Sequence, residues 1–166
     1  MYFKLMPNIT YDFNGNITVV KDIFRMVGLT IPQINETGLI KYYIKDGETP
    51  EILSQRVYNT PKYHWVILAT NQIVNVHEEW PKSDNRLFEY VENKYGIGNA
   101  TDIHHYAKTI NDENIIVDPD SSDSSIFSVS NLAYEREINE SKRQISLLKE
   151  EYIPRFVSEY KKLLRS

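Results

Sequence analysis

The stretch Lys41–Asn75, KYYIKDGETPEILSQRVYNTPKYHWVILATNQIVN, decides how the rest of the chain is read. It begins inside an apolar run, Leu39-Ile40-Lys41-Tyr42-Tyr43-Ile44, whose aromatic and β-branched residues favour a strand. Lys45-Asp46-Gly47-Glu48 follows as a polar turn, where Gly47 can take a positive φ without steric cost. Thr49 is a good N-cap, Pro50 suits the first helical position, and Glu51 complements the positive end of the helix dipole. The helix so opened carries Ile52, Leu53 and Val57. Tyr58-Asn59-Thr60-Pro61 repeats the start signal. A second helix containing Tyr63, Trp65, Val66, Ile67, Leu68 and Ala69 is apolar almost all round and therefore buried. Beyond it, the chain is expected to return to extended structure.

Strand, turn, helix, tight turn, helix and return is the profile of a LysM-like unit. The resemblance lies in Tyr42-Tyr43-Ile44, the Asp46–Thr49 turn, Ile52, Leu53 and Asn71. Tyr42–Lys45, Pro50–Leu53, Val57–Pro61, Tyr63–Leu68 and Asn71 also resemble the LysM-like core of the gene-53 baseplate wedge proteins of contractile-tailed bacteriophages. So do Asp22-Ile23-Phe24-Arg25 near the start and the run Tyr134–Ile145 with Leu147-Leu148 near the end. The resemblance implies a non-enzymatic structural subunit that clamps neighbouring wedges into a ring. The implied partners are the helical wedge core and the sheath-initiator protein, at about six copies per ring. Its location would be the virion tail baseplate, assembled in the host cytoplasm.

Composition agrees with a protein-binding role. Tyrosine occurs 12 times in 166 residues, against two Trp and six Phe, and a ring with a polar tip suits interfaces as well as strands. The net charge of −4 argues against a broad nucleic-acid footprint. Without cysteine there is no disulfide and no thiolate zinc site. The N-terminus MYFKLMPNITYDF lacks the apolar core of a signal peptide, and no stretch reads as a membrane span.

The fold class expected is α+β. A LysM-like βαα(β) core occupies residues 39–80, preceded by an irregular N-terminal arm over 1–38. Within the arm, Asn14-Gly15 signals a hairpin turn between Ile9-Thr10-Tyr11 and Ile17–Val20, and a helical turn follows Asp22. Residues 81–125 read as a helix capped by Ser83 or Asp84 and ended by Gly96 and Gly98, then a small β-hairpin, then the polar loop Asp118–Ser125. Residues 126–166 read as a long amphipathic helix kinked or restarted near Pro154. Its seam, Tyr134, Ile138, Ser141, Ile145, Leu148 and Tyr152, advances by alternating steps of four and three and calls for a partner helix. On that reading, Asp at Ile145 or Leu148 spares the core and blocks assembly.

No catalytic constellation is legible. His77-Glu78-Glu79 opens like a metalloprotease helix, but Pro81 stands where the second histidine belongs. His104 and His105 are neighbours on a predicted strand, so they are expected to face opposite ways and share no metal. Asp118, Asp120 and Asp123 lack the glycine and the bidentate Glu of a calcium loop. We therefore expect no enzyme, metal or cofactor. The candidate protein-interface residues are Phe3, Tyr11, Phe24, Tyr63, Trp65, Trp80, Tyr134, Ile138, Ile145, Leu148, Tyr152 and Phe156. The alternative is a peptidoglycan-binding module using Asp46, Gly47, Thr49 and Asn71, although the glycine-rich closing turn of such modules is missing after Asn75.

Overall fold

The computed structural model describes residues 5–22, 38–118 and 123–164. Phe3, Phe24, Asp120 and the helical turn expected after Asp22 lie outside the described residues. The fold is mixed α+β, with helices and, among the described residues, three small sheets. It divides into two compact units: one from residues up to Tyr43, Glu48–Glu79 and residues from Ile145 onward, the other from Ile44–Gly47 and Trp80–Gln144.

The first unit opens with a hairpin of β1 (Asn8–Phe13) and β2 (Asn16–Lys21). Asn14 and Gly15 take φ of 53° and 82°, the two positive values that a tight hairpin turn requires. Within the arm, the hairpin expected at Asn14-Gly15 forms as a regular antiparallel ladder with Tyr11 opposite Thr18 and Ile9 opposite Val20. Strand β3 (Leu39–Tyr43) follows, then α1 (Pro50–Tyr58), a 3-10 turn at Pro61–Tyr63, and α2 (His64–Thr70). Thr49 caps α1 by accepting the Ile52 N–H, and Thr60 does the same for Lys62 in the 3-10 turn, so both start signals act as read.

The extended return expected after α2 does not form. Val76–Glu79 is a short helix, α3. Asn75 Oδ1 accepts the His77 N–H at 3.1 Å while Glu79 returns its carboxylate to the Asn75 N–H at 2.8 Å. That reciprocal cap turns the backbone helical where a strand was expected.

In the second unit, α4 (Asp84–Tyr95) ends at Gly96, which sits at φ 101°. Strands β4 (Ile103–Ile110), β5 (Glu113–Val117) and β6 (Phe127–Ser130) form an antiparallel sheet in the order β5-β4-β6. Helix α5 (Asn131–Ser141) follows, its Ser130 cap accepting the Ala133 N–H.

The long C-terminal helix is overturned. The chain leaves α5 at Ser141 and forms strand β7 (Gln144–Leu148), which pairs with β3. The hydrogen bonds Ile44 N–H to the Arg143 carbonyl and Lys149 N–H to the Gly38 carbonyl fix the pairing as antiparallel. Helix resumes only at α6 (Ile153–Leu163), with Pro154 in its first turn, a restart and not a kink. Steps of three and four also describe a strand whose neighbouring residues are both buried, as at Leu147 and Leu148, so spacing alone could not separate the two. The unmet backbone groups of β3 decide it, because a lone strand has no ladder partner.

Ile145 and Leu148 are thus buried core residues of the first unit, as are Leu53, Val66 and Ile67, and not a seam on the surface. Leu148→Asp sets a carboxylate where 1% of the side chain is exposed. We predict a loss of about 4 kcal/mol or more, read as a fall in the urea midpoint of the isolated chain. An unchanged midpoint would remove β7 from the core.

Candidate interaction surfaces

The sheet of the first unit has one edge closed by side chains. Because Arg143 and Lys149 pair with β3, alternation turns the backbone groups of Ser146 and Leu148 to the other edge of β7. There Asn71 acts as a substitute strand: its Nδ2 donates to the Ser146 carbonyl and its Oδ1 accepts the Ser146 N–H, both at 2.8 Å. The Tyr58 hydroxyl donates to the Leu148 carbonyl at 2.7 Å. Burial pushes the Tyr58 hydroxyl up to about 12, keeping it protonated as the donor this contact needs.

Elsewhere in this unit the buried Glu48 carboxylate is held by Arg56 at 2.6 Å and by the Tyr42 hydroxyl at 3.0 Å. Burial, then the Glu48 hydrogen bond, raises the Tyr42 hydroxyl above its ordinary range. Trp65 is buried against Phe156 and Tyr160, with ring centroids at 6.0 and 5.1 Å. The β1–β2 hairpin differs in kind. All of its strand residues are exposed, and Ile9, Tyr11, Phe13 and Val20 share one face.

In the second unit the buried face of α5 is polar. Asn131, Glu135 and Asn139 recur every four residues along it and all are buried. Asn131 donates from Nδ2 to the Asn99 carbonyl and from its backbone N–H to the Asp102 carbonyl, both at 2.9 Å. Asn139 brackets Lys82, accepting its N–H at 2.7 Å and donating to its carbonyl at 2.9 Å. Glu135 accepts from Lys94 at 2.6 Å and from the Tyr95 hydroxyl at 2.8 Å. Burial opposes its charge, but the hydrogen bonds from Lys94 and Tyr95 outweigh burial and hold the carboxyl below the usual range. Just after α5, Arg143 spans Glu140 at 2.8 Å, Asp46 at 3.1 Å and the Ile44 carbonyl at 3.3 Å.

His104 and His105 do not face opposite ways. The ladder between β4 and β6 shifts register between Ile103 and His105, and this irregularity brings the two Nδ1 atoms to 2.8 Å. His104 stacks on Tyr134 at 3.9 Å between ring centroids. Among the described residues no group of three or more His, Cys, Asp and Glu is placed to hold a metal ion. Asp123 is held by Lys108 and Ser125, and the Lys108 hydrogen bond sets its carboxyl well below the ordinary range. Among the described residues no helix is long and apolar enough to cross a membrane.

The expected interface residues therefore separate. Tyr11 is exposed; Tyr63, Tyr134, Ile138 and Tyr152 are half-buried; Trp65, Trp80, Ile145, Leu148 and Phe156 are buried. The expected glycan residues each have a structural task. Asp46 accepts from Arg143 and the Asp84 N–H, Gly47 holds φ 69°, Thr49 caps α1 and Asn71 closes β7. Sequence reasoning missed Glu135, Asn139 and Arg143. For Glu135 and Asn139, with Asn131, the signal was a four-residue recurrence of amide and acid groups, the two falling one position after Tyr134 and Ile138; Arg143 had no such signal.

A family model described as base plate wedge protein 53 matches residues 1–123. The chain belongs to that family. It is a structural protein of a phage baseplate, placed by its family in the virion tail, and other baseplate subunits are its partners. No curated protein matches the chain.

Two outcomes follow from the buried polar contacts. Asn71→Ala orphans both backbone groups of Ser146 and is expected to cost about 2–4 kcal/mol in urea unfolding. Asn71→Asp should not restore that loss, since its carboxylate faces the Ser146 carbonyl. A depressed folded-state pKa stabilises above the unfolded value and is lost as pH falls through the folded one. Native stability should therefore drop on acidification below the usual carboxylate range, and Glu135→Gln should flatten that part of the pH profile.

Proposed function

We propose that this chain clamps neighbouring wedge subunits into the baseplate ring, through contacts with the helical wedge core and the sheath-initiator protein. About six copies, one per wedge, suit a closed ring, with assembly in the host cytoplasm. The observation that carries the reading, besides family membership, is the β1–β2 hairpin. A two-stranded ribbon is marginal in water, and this one exposes Tyr11 at 55% and Phe13 at 63%. Such a ribbon gains stability from a surface that covers its apolar face. Tyr63, Tyr134, Ile138 and Tyr152 keep part of their surface free for the same purpose.

The unit of β3, α1 and α2 closed by β7 supports a LysM-like reading in which the second strand is supplied from far along the chain. In that reading the module grips protein. Asp46, Thr49 and Asn71 are already engaged within the fold, which gives the glycan alternative little to work with.

Tyr11→Asp with Phe13→Asp is expected to leave the urea midpoint of the chain unchanged and to reduce its incorporation into tails at least tenfold, measured by quantitative blotting of purified particles. Incorporation at the wild-type level removes the hairpin from the interface. Co-sedimentation of the chain with purified peptidoglycan, abolished by Thr49→Ala, would favour the sugar-binding reading instead.

A further inference from the structure

The β4–β5 hairpin carries an edge that the chain itself leaves open. Asn111 and Asp112 take φ of 52° and 65°, the conformation of a two-residue loop that closes on a hydrogen-bonded pair, here Ile110 and Glu113. From that pair the ladder alternates. Glu113, Ile115 and Val117 turn their N–H and C=O groups to β4, and Asn114 and Ile116 turn theirs outward. Strand β5 ends the sheet, and among the described residues no backbone hydrogen bond reaches those outward groups. Neither face is covered: Ile115 is 46% and Ile116 68% exposed, on opposite sides of the sheet. An apolar strand open on both faces and along one edge invites pairing unless a lysine, a proline or a bulge blocks it. β5, Glu-Asn-Ile-Ile-Val, has none of these.

Its charges choose the occupant. Asp112 and Glu113 stand at one end of the edge and Asp118 at the other, while the nearby Lys108 is engaged by Asp123. A second copy pairing antiparallel with Ile115 opposite its own counterpart would set Asp112 against Asp118 at both ends. Like charges opposed across strands are destabilising, so that symmetric register is disfavoured. The complementary strand is aliphatic at alternate positions and carries Lys or Arg at its ends.

Resting on the baseplate reading, we propose that β5 is a strand-addition site that captures an extended, basic-ended segment of another baseplate subunit. Backbone ladder bonds at Asn114 and Ile116 give the affinity, and the acidic ends give the selectivity.

The test uses the full chain, free and in purified tails. Amide hydrogen exchange at Asn114 and Ile116 should slow about a hundredfold or more on incorporation, the mark of new ladder bonds. Ile116→Pro removes an N–H that β4 does not use, a position where an edge strand tolerates proline. It should keep the urea midpoint and lower incorporation at least tenfold, and Glu113→Lys should lower it as well. Should the proline variant prove unstable, exchange at the two wild-type amides still decides. Equal exchange in free chain and tail, or amide protection in the free chain that rises with its own concentration, overturns the proposal. Equal exchange in chain recovered from tails leaves the baseplate reading intact, whereas absence of wild-type chain from tails removes that reading and this proposal with it.

Discussion

The pairing of β7 with β3, closed on its far side by Asn71, is the constraint on which the first unit depends. Strand β3 precedes two helices that can bury its side chains but cannot answer its backbone. The strand that does so lies about a hundred residues further along. Once β7 is in place its outer edge becomes the next liability. One carboxamide and one phenol satisfy it, at Ser146 and Leu148. In the same unit Ile145, Leu147 and Leu148 are buried, as are Leu53, Val66 and Ile67.

The second unit uses the same device in a different setting. Asn139 brackets the backbone of Lys82 as Asn71 brackets that of Ser146, donor to carbonyl and acceptor to amide. Asparagine suits this because its side-chain amide reproduces a peptide group with both partners in one plane. Along α5 the buried stripe runs through Asn131, Glu135 and Asn139, each with its polar atoms satisfied. Such a face demands particular partners at particular positions, because an unmet buried polar group costs more than a met one gains. Its effect is to fix register as well as to add stability.

This division of labour suits a baseplate protein. Polar groups that could have been read as a binding or catalytic set are consumed in holding the two units in shape. The surface we propose for partners is instead extended backbone and apolar side chain, in the exposed β1–β2 ribbon and along β5. Both are elements whose own stability is small in isolation, so they gain most from being covered by another chain.

Local chemistry was legible in the sequence. The cap Thr49, the start signal Asn59-Thr60-Pro61, the turn at Asn14-Gly15 and the stop at Gly96 act where they were read, because each depends on residues only a few positions away. The wedge family was legible too, from residues of the β3 to α2 stretch and the arm. The C-terminal helix was not. Tyr134, Ile138, Ser141, Ile145 and Leu148 satisfy a helical spacing, and nothing local reveals that the last two are needed by a strand formed near residue 40. His104 and His105 were misjudged for a related reason, since a ladder irregularity arises between strands and leaves no mark on one of them. What the sequence determined alone is therefore the local caps and turns at which some elements start and stop. Which strand completes which sheet, and which polar residues become buried, was decided by the tertiary structure, because backbone hydrogen bonds must be satisfied by whatever the fold brings alongside.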